Sequence, residues 1–367
     1  MNYMQIQEEF ERRFLLQEEY LGSDKPVNRI VPLVSITIIT YQHKLFIAQC
    51  IESALAQETN FPYEIIIGED GSTDGTREIC IEYAEKYPDK IRLFLRDRRL
   101  TALELPDKVL LFNGNFCRKS TRGKYFALLD GDDYWIDNRK IEKQVDFLET
   151  NNDFSLCFTD GYILDELRGK ATYPMYKVLP KSEYSTADVI RVRPGQTCTL
   201  MFRSTAVLPP PVWVFGLVHG DVVLKILAAQ YGKVGFIPDK TGVYRIHDGG
   251  FYSGKVDQRL SIYRSLESYT RTRDNIDQKY AKYFSSRLYG LHMLAARLEA
   301  EAKQYINARQ QFIKAVRVLP LAAFRQPGST FRTAISIYTP FLFGLLLKAR
   351  QRLPKRSEKA SATTLNH

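Results

Sequence analysis

The chain reads as an α/β protein: a mainly parallel sheet with helices on both faces, followed by a helical C-terminal region. Two observations predict this. Apolar, β-branched runs alternate with segments of helical period through about the first 130 residues, and strands that alternate with helices build parallel sheets covered on both faces. The polar clusters also fall just after those runs, at 40–42, 69–72 and 130–133, which are the carboxyl ends where open parallel sheets bind ligands.

The elements follow in order. Residues 4–20 form a polar helical extension and 22–29 a linker. Val34-Ser-Ile-Thr-Ile-Ile-Thr40 is a β-branched run suited to a strand buried on both faces. A helix over 44–57 puts Ile47, Ile51, Ala54 and Leu55 on one side. Residues 63–68 make a second strand, and Gly71-Ser-Thr-Asp-Gly75 turns into a helix carrying Ile79, Tyr83 and Tyr87 on one stripe. A third strand spans 91–95, a long loop and a short helical stretch come next, and a strand over 125–129 delivers an acidic cluster. A strand-like 233–237 follows later, and helices fill the chain beyond about 258. The expected organisation is a helical extension over 1–30, an α/β domain over 31–257 and a helical region over 258–367.

The 367 residues are 44% hydrophobic and 12% aromatic, ample for a packed core. Five cysteines, scattered without CxxC spacing, suggest neither a disulfide framework nor a zinc site. The N-terminus lacks the basic and apolar regions of a secretory signal, so the expected location is cytoplasmic. The net charge of +10 is concentrated late in the chain. Between Arg332 and Lys348 lie fifteen uncharged residues, short of the ~20 needed to span a bilayer, with a basic cluster after them. Residues 333–359 therefore suit either a helix lying on the cytosolic face of an anionic membrane or one docked on the protein itself. No nucleic-acid recognition motif accompanies the charge.

Asp130-Gly-Asp-Asp133 sets three carboxylates within four residues at the end of an apolar strand. Like charges there resist desolvation, and a divalent ion with oxygen affinity, Mn²⁺ or Mg²⁺, relieves them while leaving positions open to phosphate. A solvated turn capping the helix that begins near Asn138 explains the same residues.

Val34-Ser-Ile-Thr-Ile-Ile-Thr-Tyr-Gln42, Ile67-Gly-Glu-Asp-Gly-Ser-Thr-Asp-Gly-Thr76 and Gly123-Lys-Tyr-Phe-Ala-Leu-Leu-Asp-Gly-Asp-Asp-Tyr-Trp135 together resemble family 2 glycosyltransferases of the GT-A fold, with Gln42 where the family usually has Asn. The resemblance implies an inverting transferase that uses a nucleotide-diphosphate sugar, commonly a UDP-sugar, with Mn²⁺ or Mg²⁺. It implies that Thr40 and Tyr41 line the base pocket with Ser72 nearby, that Asp70 accepts a hydrogen bond from the base, and that Asp130 contacts the ribose. Asp132 and Asp133 then become the metal ligands. Gly216-Leu-Val-His-Gly-Asp221 resembles the family's general-base segment, so Asp221 is the expected base, with an N-cap role as the alternative and His219 as a weaker candidate base. Tyr244-Arg-Ile-His247 matches a Tyr-Arg-x-His segment, placing His247 toward the diphosphate or metal with Arg245 in support; the glycines after it suit a mobile lid. Acceptor contacts are expected within 159–200, including Thr159, Asp160 and 196–199. The function implied is transfer to a glycan or lipid-linked glycan in surface polysaccharide biosynthesis. A polyprenyl-phosphate glycosyltransferase, a nucleotidyltransferase and a non-catalytic sugar-nucleotide binder are the alternatives.

Overall fold

The computed structural model describes residues 3–105, 108–250, 257–320 and 327–339. It divides into two compact units, Met1–Phe284 and Ser285–His367.

The first unit is built on one large sheet. Its elements are α1 (Tyr3–Leu15), β1 (Val34–Thr40), α2 (Ile47–Leu55), β2 (Tyr63–Glu69), α3 (Thr76–Lys86), β3 (Ile91–Leu95), α4 (Arg98–Thr101), β4 (Ala102–Leu105), β5 (Lys108–Leu111), α5 (Asn113–Lys119), β6 (Tyr125–Asp130) and β7 (Tyr134–Trp135). They continue as α6 (Lys140–Thr150), β8 (Phe154–Asp165), β9 (Ala171–Pro174), β10 (Glu183–Tyr184), α7 (Thr186–Val192), β11 (Leu200–Arg203), α8 (Gly220–Ala229), β12 (Lys233–Ile246) and α9 (Gln258–Asn275). The strand order is β10-β12-β8-β11-β6-β1-β2-β3, with β7 on β12 and β9 on β8. Pairing is parallel through β3-β2-β1-β6 and between β8 and β12, and antiparallel where β11 and β10 enter. Along that path only β10 and β11 run against the rest, so the sheet is mainly parallel. The hairpin β4-β5 stands apart as its own two-stranded sheet, in the segment where the sequence suggested only a loop.

Strand alternation sorts the core onto two faces. Val34, Ile36 and Ile38 of β1 join Ile47, Ile51 and Ala54 of α2 and Cys80 and Ala84 of α3 in the main cluster. On the opposite face Ile39 and Ile66 meet Phe94 and Cys117, the last on α5. Each fully buried isoleucine contributes about 1.5–3 kcal/mol, so these positions fix the strand's facing and register. In that register Thr40 lies beside Glu69, and Ile39 lies between Gly68 and Asp130. Three strand ends therefore arrive together at one edge.

α9 packs on this first unit instead of opening the appendage. Ser268 Oγ donates to Val218 O at 2.9 Å, Arg271 reaches the carbonyls of Trp213 and Phe215, and Tyr269 accepts from Arg193. These bonds hold it to the loop before α8, which is why the compact unit runs to Phe284 and past residue 257. The N-terminal extension belongs to the unit too, because Phe10 of α1 sits among Phe112, Phe116 and Phe215.

The second unit contains α10 (Ser285–Glu301), α11 (Tyr305–Val318) and α12 (Pro327–Tyr338). Ala296, Ala308 and Ile337 bring the three helices together. Of the segment 333–359, only 333–339 is described: there Thr333 accepts from Arg297 and Ile337 is buried within this unit. The remainder lies outside the described residues. Among the described residues, no helix is long and apolar enough to cross a membrane.

Candidate active site

The acidic cluster turns sharply at the end of β6, and its carboxylates separate. Asp132 meets two imidazoles: His247 Nε2 lies 3.1 Å from its Oδ2, and His43 Nε2 lies 3.9 Å from the same atom. One ligand atom from each of His43, Asp132 and His247 falls within 4.8 Å of the others. Burial works to raise Asp132, but the His247 hydrogen bond and the two histidine charges outweigh it and hold the carboxyl below its ordinary range. Burial depresses His43, with the Asp132 charge opposing.

Asp133 points elsewhere. It is buried, its Oδ1 accepts the Arg245 backbone N–H at 2.9 Å, and the Cys198 thiol lies beside it. Burial and the charges of Asp132 and Asp130 push it well above the ordinary carboxylate value. The groups that converge on Asp132 are thus two histidines, while Asp133, expected beside it as a second ligand, turns its Oδ1 to the Arg245 N–H. The reason is the turn itself: Asp133 N–H donates to Asp130 O at 3.0 Å, which aims consecutive side chains in opposite directions.

Arg245 and Ser72 also serve the framework. The Arg245 guanidinium donates from Nε to Asp132 O at 2.8 Å, and from its two terminal nitrogens to Glu166 and Gln49, each at 2.7 Å. Its fork clamps the acidic turn, which fixes Asp132 in front of the histidines. Ser72 Oγ accepts the Gln42 N–H at 2.9 Å, Thr76 Oγ1 accepts that of His43 at 2.8 Å, and Asp74 accepts that of Lys44 at 3.0 Å. The Ser-Thr-Asp-Gly-Thr turn after β2 thereby shapes the loop after β1, where Gln42 takes the unusual φ of 56°.

Asp70 lies at the other end of the site. Thr101 Oγ1 donates to its Oδ1 at 2.5 Å, and Arg98 Nε approaches its Oδ2 at 3.2 Å. The Arg98 guanidinium covers the Tyr41 ring, 3.8 Å from its centroid. Burial raises Asp70, and Thr101 and Arg98 partly offset this. Thr40 is buried, with Oγ1 3.3 Å from His43 Nδ1, so it supports the histidine.

Asp221 occupies the second residue of α8, while the N-cap position belongs to His219, whose Nε2 bonds Ser265 Oγ at 2.9 Å. The N-cap alternative for Asp221 is thereby removed. Its carboxylate pairs at 3.1 Å with Lys225, a buried lysine that also donates to Gly195 O at 2.7 Å. Asp221 faces the same pocket as the acidic turn. Asp130 is pushed up to about 8 by burial, then by the charges of Asp132 and Asp221, and Arg118 of α5 sits within the field of both Asp130 and Asp221. Burial brings Arg118 down to about 10.

Thr159 and Asp160, expected to contact an acceptor, lie inside the sheet: Thr159 bonds Thr241 across β8 and β12 at 2.7 Å, and Asp160 accepts the Gly161 N–H. Gly249 and Gly250, the glycines expected to form a lid, follow closely after His247, and residues 251–256 lie outside the described residues. His43, Arg98, Thr101, Arg118 and Lys225 were not singled out from sequence. His43 alone carried a signal, as an imidazole in the polar loop directly after β1; the others follow from packing.

Comparison with known proteins finds likenesses to glycosyltransferases. Residues 35–104 match the model for glycosyl transferase family 2. An uncharacterised protein of Mycobacterium tuberculosis is 31% identical over 231 residues, 62% of each chain, so the chain spans less than two thirds of that relative's length. An uncharacterised glycosyltransferase of Rickettsia typhi is 34% identical over 158 residues, 43% of this chain and 44% of its own. Among solved structures, a Pyrobaculum calidifontis mannosyltransferase in complex with GDP-Man and Mn²⁺ aligns over 95% of this chain and 90% of its own, with 16% identity and a TM-score of 0.46. The likeness to glycosyl transferase family 2 thus lies over residues 35–104, the segment that carries most of β1, all of α2, β2, α3, β3 and α4, and most of β4.

Proposed function

We propose that the protein is an inverting glycosyltransferase that moves a sugar from a UDP-linked donor to a hydroxyl of a glycan or lipid-linked glycan, in the building of a surface polysaccharide. The observation that supports this reading most is that the ends of β1, β2 and β6, carrying Thr40, Asp70, Asp130 and Asp132, arrive together beside a segment resembling glycosyl transferase family 2, with Asp221 within electrostatic reach of Asp130. Asp70 reads the base. Thr101 fills Oδ1, so the side of the carboxylate held by Arg98 meets the ligand, and a single acceptor oxygen suits the imide N–H of uracil. Cytosine offers an acceptor there, and guanine presents two adjacent donors.

His43, Asp132 and His247 fit a divalent ion by their donor set, two imidazoles and a carboxylate whose ligand atoms lie within 4.8 Å of one another. Such an ion, when bound, offsets the charge that develops on the departing diphosphate. Asp130 meets the ribose. Asp221, held in one rotamer by Lys225, takes the acceptor proton as the hydroxyl oxygen bonds to the anomeric carbon. The bond from that carbon to the diphosphate oxygen breaks, its electron pair leaves with UDP, and the configuration inverts. Work at the cytosolic face of a membrane, through the C-terminal segment, completes this reading.

Calorimetric titration with UDP, GDP and CDP, each with and without Mn²⁺, on the wild type and Asp132→Ala tests it. UDP should bind most tightly, depend on Mn²⁺ and lose that dependence in the variant. Absence of any nucleotide binding would remove the transferase reading.

A further inference from the structure

On the reading that this pocket holds a divalent ion, we propose that His43 is a full ligand beside Asp132 and His247, so that the centre takes nitrogen-seeking ions such as Mn²⁺ and Co²⁺ in preference to Mg²⁺.

The geometry supports three ligands. With separations of 3.1 and 3.9 Å to Asp132 Oδ2 and all three atoms within 4.8 Å, an ion sits roughly 2.4 Å or less from each, and movements of a few tenths of an ångström bring these to ordinary metal–nitrogen and metal–oxygen lengths. The His43 ring is also oriented for the task. Its Nδ1 faces Thr40 Oγ1 at 3.3 Å, and a ring that donates from Nδ1 presents the Nε2 lone pair to an ion, the usual outer-shell arrangement of a ligating imidazole. The loop beneath it is held by the Thr76 and Asp74 bonds to the backbone of His43 and Lys44.

Gly131 adds an independent observation. A Cβ at this position would lie 2.7 Å from Thr40 Oγ1 and 2.9 Å from His43 Nδ1. The acidic turn can approach His43 only because this residue has no side chain. The chemistry then sets the preference. Mg²⁺ demands near-octahedral oxygen coordination and gains little from imidazole, whereas affinity for nitrogen donors rises along the first-row series from Mn²⁺ through Co²⁺.

The test uses the full chain and the metals alone: titration with Mn²⁺, Co²⁺ and Mg²⁺, and pulsed EPR of the Mn²⁺ complex to count coupled imidazole nitrogens. The wild type should bind Mn²⁺ at least about tenfold tighter than Mg²⁺ and show two imidazoles. His43→Ala should keep one imidazole, lose about tenfold or more in Mn²⁺ affinity and leave Mg²⁺ nearly unchanged. His43→Gln, which keeps most of the volume, should do the same, so that a folding defect in the alanine variant is recognised. Thr40→Val should retain both couplings while weakening Mn²⁺. A wild type with one imidazole, or with equal affinity for Mg²⁺, overturns the His43 assignment while leaving the divalent-ion reading standing. No binding of any ion overturns both.

Discussion

Asp221 and Lys225 lie one helical turn apart on α8, and the buried ammonium that pairs with the carboxylate is itself tied to Gly195 O. A carboxylate held this way needs little side-chain reordering to act as the proposed base. Asp221→Asn preserves the size of the side chain and removes its proton affinity, so transfer should fall about 10²-fold or more while UDP affinity stays within twofold, measured by turnover and calorimetry on the same preparation. A change in melting temperature without loss of turnover would assign Asp221 a structural role only. The sequence raised Asp221 as the candidate base from its neighbours in the Gly216–Asp221 segment. Its partner was not, because Lys225 faces inward only once α8 has packed, and nothing in Val-Val-Leu-Lys marks which face is buried.

At the level of elements, the parallel core was readable because β1 and β2 carry unbroken apolar and β-branched runs, which only a doubly covered strand tolerates. β8 and the second half of β12 were harder. They contain Thr159, Thr241 and Arg245, whose polar side chains are satisfied by partners far along the chain, and Asp160, which accepts the neighbouring Gly161 N–H. The same cause moved Asp133 from an expected ligand to a buried anchor, since its acceptor role is defined by an N–H more than a hundred residues away. Conversely, the glycine in Asp130-Gly-Asp-Asp133 has a role as specific as the acids around it. Gly131→Ala forces the β6 turn away from Thr40 and His43, and should weaken Mn²⁺ binding about tenfold or more, with a smaller effect on UDP alone. Mn²⁺ titration of this variant checks the effect, and unchanged affinity would mean the turn has room the packing does not suggest.

For the molecule as a whole, the pocket is a reservoir of unfavourable charge when it lacks a cation. Asp70, Asp130 and Asp133 all have carboxyls raised by burial, Asp130 to about 8. Groups whose folded values exceed their unfolded ones keep protons that the unfolded chain has already released. Stability of the ion-free protein should therefore fall as the pH rises from the ordinary carboxylate range, ~4, toward 8. Saturating Mn²⁺ binds the deprotonated form and should flatten or reverse that slope. Thermal melts across this range, with and without the ion, measure both effects, and Asp130→Asn should flatten the ion-free curve. A pH-independent melting temperature in the ion-free wild type would contradict the raised values.

α1 lies outside the matched family segment, yet Arg13 on it donates to the carbonyls of Arg99, Leu100 and Ala102 at 2.7, 3.1 and 2.8 Å. Those carbonyls belong to the turn of α4 that carries Arg98 and Thr101, the two residues gripping Asp70. The N-terminal helix thus buttresses, from outside the sheet, the turn that grips Asp70. If Asp70 reads the base as proposed, a protein trimmed to the central sheet should discriminate nucleotides less sharply, because the turn that grips Asp70 is braced from outside the sheet.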